Sequence, residues 1–333
     1  MKDFTLIVMD MLKSQGVSYG DVRTVLTLAE SIRVKNGKIE DVSVSEDLGF
    51  GVRVLVDGYW GFSSSYRLTV EDAERVVKEA IEIARSSASI KGKPVHLSQE
   101  EIYQDTYRTP FEIDPFSVSL EDKIKVLLET DSILRKEKFV TLTSLILAFS
   151  RVKQVFASTE GALIEQEFVE SGGGYTAYAL KDGDLQTRSY PAAHGGNYYR
   201  AGYEVIKEMD LPGNAERVRE ELSELLSAKP APAGKMDLIL GTNQMALQIH
   251  ESIGHAVELD RVLGFEASYA GTSFATLEKL GKFRYGSPIM NVYTDSITPR
   301  GLGTFGYDDE GVKAQRRWIV KEAVSYTHLT LPT

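Results

Sequence analysis

The chain has 333 residues, 42% hydrophobic and 26% charged, as expected of a protein that builds two or three packed domains and unlike a disordered or fibrous one. Its 48 acidic against 38 basic side chains leave a net charge of -10, a poor match to a phosphate backbone, so nucleic acid is not an expected partner, local basic patches aside. The absence of cysteine excludes disulfides and thiolate chemistry and leaves His, Asp and Glu as the strong metal ligands.

At the amino terminus, MKDFTLIVMDMLKSQG mixes charged and apolar side chains where a secretory signal needs an uninterrupted apolar core. No run of about 18 apolar residues occurs, so a cytoplasmic protein outside the membrane is expected. The first third reads as strands and one helix. SIRVKNGKIEDVSVS sets Asn36-Gly37 between alternating segments, and GVRVLVDGYWGFSSS repeats the pattern around Asp57-Gly58; both are strong hairpin signals. The helix opens at Thr69, three residues before Asp72, and Ala73, Val76, Val77, Ala80, Ile81 and Ala84 recur on one face that can cover the sheet. Tyr59, Trp60 and Phe62 read as core packing rather than as a ligand site.

After Lys91-Gly92-Lys93-Pro94, Ser119 caps a helical segment, then two long strand patterns follow with Asp182-Gly183 as a turn. The run Gly172-Gly173-Gly174 lacks the spacing of a dinucleotide or phosphate loop; a bulge or turn is the simpler expectation, with close approach to a substrate at Gly173 the alternative. His194 reads as a surface loop histidine. One long helix is expected through YEVIKEMDLPGNAERVREELSELLSA. Ala228 to Gly234 is a proline-rich connector, followed by MDLIL as a strand. The expected fold class is α+β, antiparallel sheets covered by helices, in several domains: 1–92, 93–228 and an incomplete 229–323. Residues 324–333, with His328, read as a non-native tail.

Just past the connector stands HESIGHAVELDR, on a helix that Thr242 or Asn243 can cap. Metalloprotease helices carry two histidines four apart with a glutamate after the first. Here His250 and His255 are five apart, which an undistorted helix would splay by roughly 140°. A π-bulge, or a helix that ends at Gly254, would bring the two imidazoles together, and Glu251 would then be placed to polarise a water and shuttle its proton. From spacing alone a buried helix with two satisfied histidines stands beside the zinc reading. On that buried-helix reading Glu258, Asp260 and Arg261 are a solvated charge cluster.

HESIGHAVELDR resembles the HExxxH segment of the TldD/PmbA family on its TldD side. GFGVRVLVDGYWGFSSS is similar to that family's amino-terminal signature, and TDSITPRGLGTFGYDDEGVKAQRRWIV to its stretch ending in DDEG. The resemblance implies a zinc metallopeptidase acting on unfolded or small peptides, with His250 and His255 as Zn2+ ligands and Glu251 as catalytic base. It implies a PmbA-like (TldE-like) partner subunit, or a homo-oligomer, and a role near the cleft for Asp308, Asp309 and Glu310, which otherwise read as an acidic turn. It also implies a third ligand, a cysteine, from a later part of the last domain. The chain has no cysteine, so a truncated TldD-type subunit is expected. A non-catalytic partner subunit, or a peptide-binding module using a sheet edge, are the alternatives.

Overall fold

The computed structural model describes residues 1–89, 94–193 and 195–325 and divides into two compact units. The expected boundary at residues 92–93, His194 and His328 lie outside the described residues. Unit 1 holds residues 1–228 with 299–307 and 311–313; unit 2 holds the rest of the chain from Lys229.

Unit 1 is built on one large sheet. Helix α1 (Lys2–Ser14) leads into β1 (Tyr19–Lys35), which turns at Asn36-Gly37 into β2 (Lys38–Val56) and at Asp57-Gly58 into β3 (Tyr59–Ser65). Both central residues of each turn have positive φ, 49° and 75° in the first and 52° and 83° in the second, the geometry that selects Asn-Gly and Asp-Gly. Helix α2 (Val70–Ser87) starts where Thr69 accepts the Asp72 amide at 3.2 Å, and the six apolar residues of its expected face are all buried. The helix lies directly on β3: a Cβ at Gly61 would stand 1.9 Å from the Ala80 carbonyl oxygen, so only glycine allows the approach.

The same sheet continues through the next part of the chain. After the short β4 (Gln104–Arg108), helix α3 (Leu120–Leu134), capped by Ser119 as expected, precedes β5 (Val140–Ser158) and β6 (Leu163–Lys181). β7 (Asp184–Tyr190) follows the Asp182-Gly183 turn, and β8 (Asn197–Tyr199) comes next. The strand order is β3-β2-β1-β5-β6-β4, with β7 and β8 also on β6. β1 pairs antiparallel with β5 from Asp21↔Ser158 to Lys35↔Ser144, so the segments expected as a first and a second domain share a sheet. They keep separate cores. One is made by α1, α2, β2 and neighbouring residues; the other lies beneath α3, α4 (Glu204–Met209) and α5 (Leu211–Leu225).

Several expectations are corrected here. The amino-terminal segment is a helix, α1, whose Thr5, Val8, Met9 and Leu12 form a buried stripe at helical spacing. Asp210, in the left-handed conformation at φ 45°, splits the expected long helix into α4 and α5 and caps the second through the Gly213 amide. Gly172, Gly173 and Gly174 form neither bulge nor turn; they lie in regular β6. Gly173 is paired on one side with Leu147 and on the other with Asn197, and a Cβ there would meet the Ile146 oxygen at 2.2 Å, so it offers no edge to a substrate. Phe62 is 58% exposed rather than in the core, while Trp60 packs edge-on to Tyr19 under the Arg53 guanidinium.

Unit 2 is smaller. Helix α6 (Thr242–Ile249) passes into a π-turn (His250–Gly254), a 3-10 turn (His255–Val257) and α7 (Leu259–Leu263). A three-stranded sheet of β9 (Val292–Asp295), β10 (Arg316–Lys321) and β11 (Val324–Ser325) packs Ile319 and Val320 with Ile253, Ala256, Val257 and Ala275. Val324 and Ser325, read from the sequence as part of a non-native tail, pair with Lys321 and Val320. The expected strand MDLIL joins no ladder, and Ile239 within it is 97% exposed. No described helix is long and apolar enough to cross a membrane.

Candidate metal centre

The histidine pair sits where the helical repeat changes. Helix α6 begins after Gly241, not on a Thr242 or Asn243 side-chain cap, and buries none of its residues. At its end the His255 amide donates to the His250 carbonyl, an i to i+5 bond that inserts one extra residue into the turn. An α-helix would set side chains five apart about 140° from each other, and the wider π-turn returns them to one side. The two imidazole centroids lie 4.3 Å apart at an interplanar angle of 71°. Of the two routes open from the sequence, the π-turn is the one this chain takes. Gly254 continues the turn at ordinary negative φ.

Around the pair, burial is graded. His250 and Glu251 side chains are both 60% exposed, with Nε2 and Oε1 3.9 Å apart, while His255 is 30% exposed. Ile253, on the opposite side of the turn, is buried in the unit 2 core and anchors the segment. The donor atoms of His250, Glu251 and His255 all lie within 4.8 Å of one another. At the tetrahedral angle two zinc–ligand bonds of ~2.1 Å set their donors about 3.4 Å apart, so a closure of at most roughly 1.4 Å would put the two imidazole donors on one ion. Two convergent imidazoles are donors that zinc accepts, with a carboxylate left beside them, and the residues present fit such an ion. Among the described residues they form the one group of three or more such donors, and no further Asp or Glu joins them to replace the cysteine of the resemblance.

Glu258 was missed. The sequence reads it as part of a solvated charge cluster, yet it is only 7% exposed. Its Oε1 lies 2.5 Å from His255 Nδ1, and its Oε2 lies 3.3 Å from the Arg261 guanidinium. A signal was available: Glu258 is the third residue after His255, the spacing at which side chains on a helical turn are neighbours. Asp308, Asp309 and Glu310 form an acidic turn, with the Glu310 amide donating to Asp308 Oδ1 at 2.9 Å and Gly311 at φ 82°. They belong to unit 2 but not to the donor group. Unit 1 holds the residues on either side. Tyr307 exchanges hydrogen bonds with Gln166 on β6 and donates its hydroxyl to Asp105 at 2.5 Å; burial, then that carboxylate, pushes its pKa up to about 12.

Comparison with known families places this mixed α/β architecture in the class of metallopeptidases. Residues 20–84 match the PmbA/TldA metallopeptidase domain 1, residues 113–228 the central domain and residues 233–326 the C-terminal domain, so the chain belongs to the PmbA/TldD metallopeptidase family. It is 31% identical over 313 residues to a metalloprotease of Methanocaldococcus jannaschii, covering 93% of this chain and 65% of that one. A zinc metalloprotease TldD homolog of Saccharolobus solfataricus is 21% identical, with 95% and 65% covered. The fold is that of a crystal structure from Thermotoga maritima described as a candidate modulator of a DNA gyrase, with a TM-score of 0.77, 18% identity, and 99% of this chain and 70% of that one covered. The chain thus spans about 65% of the length of these curated relatives.

Proposed function

We propose that this chain is a TldD-type peptidase subunit that hydrolyses unfolded or small peptides with zinc held by His250 and His255 and with Glu251 as general base. The observation that carries the reading is the π-turn, which converges two imidazoles that a regular helix would part and leaves a carboxylate beside them. A bound zinc would supply Lewis acidity, polarising a scissile carbonyl and making water a stronger acid. Glu251, exposed and adjacent to His250, accepts the proton of the attacking water and returns it to the leaving amine. The acidic turn Asp308, Asp309 and Glu310 is assigned to contact the peptide, through the amino group or basic side chains that its charge would attract. The protein works in the cytoplasm with a PmbA-like or TldE-like partner subunit, or with a second copy of itself. Two imidazoles alone do not complete a tetrahedral protein sphere, so zinc held by this chain is weakly bound.

Zinc titration of the chain, by equilibrium dialysis and metal analysis, tests the ligands. His255→Ala should abolish the binding, and unchanged zinc in that variant would overturn the assignment. Glu251→Gln should keep the fold and most of the metal while abolishing cleavage of an unstructured, fluorescence-quenched peptide; retained cleavage would remove Glu251 from the mechanism.

A further inference from the structure

We infer that Glu258 is a positioning residue for the metal centre: by accepting a hydrogen bond from Nδ1–H of His255 it fixes the imidazole in the tautomer whose Nε2 lone pair faces the zinc. The inference rests on the zinc reading above and adds to it the residue that prepares one of the ligands. A neutral imidazole has one donor nitrogen and one acceptor nitrogen, and the hydrogen bond made by one decides which atom is left for a metal. In this chain the Nδ1 side is taken, by a carboxylate oxygen at 2.5 Å.

Three features of the fold make that contact specific. Glu258 occupies the N-cap position of α7, with extended φ -63° and ψ 120°, where an acidic side chain commonly turns forward to accept amides of the first turn. Its side chain makes no such cap bond; it turns back to His255 instead. Its second oxygen is held by Arg261, one turn further along and itself mostly buried, so both the place and the direction of the carboxylate are set from two sides. Burial completes the arrangement. Glu258 stands beside Val257, fully buried in the unit 2 core, while His250 and Glu251 across the turn face solvent. The chain therefore presents one anchored imidazole, His255, and one exposed imidazole, His250, and of the two the anchored one has its Nδ1 held by a buried carboxylate. Carboxylate partners of this kind commonly strengthen metal binding through orientation and ligand basicity.

The test reads the apo chain as well as the metal. With histidine labelled by 15N, long-range correlation spectra should show neutral His255 carrying its proton on Nδ1. Glu258→Ala should move that proton to Nε2, the form preferred by imidazole in water, and should weaken zinc binding by about 10- to 100-fold. Glu258→Gln, nearly isosteric and still offering an amide oxygen to Nδ1, should keep the tautomer and recover most of the affinity. A wild-type His255 protonated on Nε2, or a Glu258→Ala chain with unchanged tautomer and unchanged zinc affinity, would overturn the inference. His255→Ala separates the two readings. If it leaves zinc binding intact, the zinc assignment fails and this inference with it; if it abolishes binding while Glu258→Ala changes neither readout, only the positioning role fails.

Discussion

Lys123 is the most demanding residue in the unit 1 core. Its side chain is 1% exposed, its Nζ lies 2.6 Å from Glu30 Oε1 and 4.6 Å from the centroid of Phe149, and Glu30 itself is only 14% exposed. Glu30 on β1 and Phe149 on β5 are cross-strand partners, so α3 lays one ammonium over a side-chain pair that spans two strands of the shared sheet. Lys123→Met keeps most of the volume and leaves the carboxylate buried without its partner, for which a loss of ~3–5 kcal/mol is expected. At ~2–4 °C per kcal/mol for a unit of this size, the melting temperature should fall by about 6–20 °C. Adding Glu30→Leu removes the stranded charge, and the double variant should return to wild-type stability or exceed it by about 1–4 kcal/mol. Urea titration followed by Trp60 emission, in a Trp318→Phe background so that one tryptophan in unit 1 reports, measures both. A single variant within about 1 kcal/mol of wild type, or a double variant no more stable than the single, would refute the reasoning.

Two further outcomes follow from the packing and from one titrating group. Gly61→Ala should destabilise unit 1 by roughly 1–3 kcal/mol, because the new Cβ strikes the Ala80 carbonyl of α2 and the helix must lift; an unchanged urea midpoint would show that α2 does not rest on β3 as described. Asp295, at the end of β9, accepts from the Thr298 hydroxyl, the Ile297 and Thr298 amides and the Arg316 guanidinium, which together hold its carboxyl well below the usual range. A pKa depressed in the folded state stabilises above the unfolded value near 3.8 and is lost as pH falls below it. Trp318 emission, in a Trp60→Phe background, should therefore report a loss of unit 2 stability below pH 3.8 that Asp295→Asn makes shallower; equal slopes in both chains would contradict this.

How far the sequence foretold the structure depended on how local each determinant is. Asn36-Gly37, Asp57-Gly58 and Asp182-Gly183 announce their turns because the backbone angles are decided by the two residues themselves, and Thr69 and Ser119 announce their helices through a bond three residues away. The HExxxH spacing carried its geometry too, since an extra residue in a helical turn has few ways to be absorbed. What stayed hidden was relational. Nothing local tells that β1 pairs with β5, more than 100 residues later, and so joins two expected domains in one sheet. Gly172 to Gly174 read as a break, because their use, admitting β8 and the Tyr190 segment close against β6, depends on strands the triplet cannot name. Glu258 was taken for surface because charge is the usual mark of exposure, and only its two partners together make burial tolerable.

The shared sheet also dictates the order in which the chain can come together while it is being made. The β1–β2 hairpin closes on itself as soon as it is synthesised, but the other edge of β1 must wait for β5. The nearest rung is Lys35↔Ser144 and the farthest Asp21↔Ser158, so the loop to be closed grows from 109 residues (144 − 35) to 137 (158 − 21) along the ladder. Loop entropy favours zippering from the hairpin tip toward Asp21. At roughly 5–20 residues per second, the edge of β1 stands open for about 5–20 s before its first rung can form. During that interval β1, paired with β2 along one edge, leaves its other edge uncovered on a nascent chain, and a second copy on the same message is the nearest source of a strand that could take the place of β5.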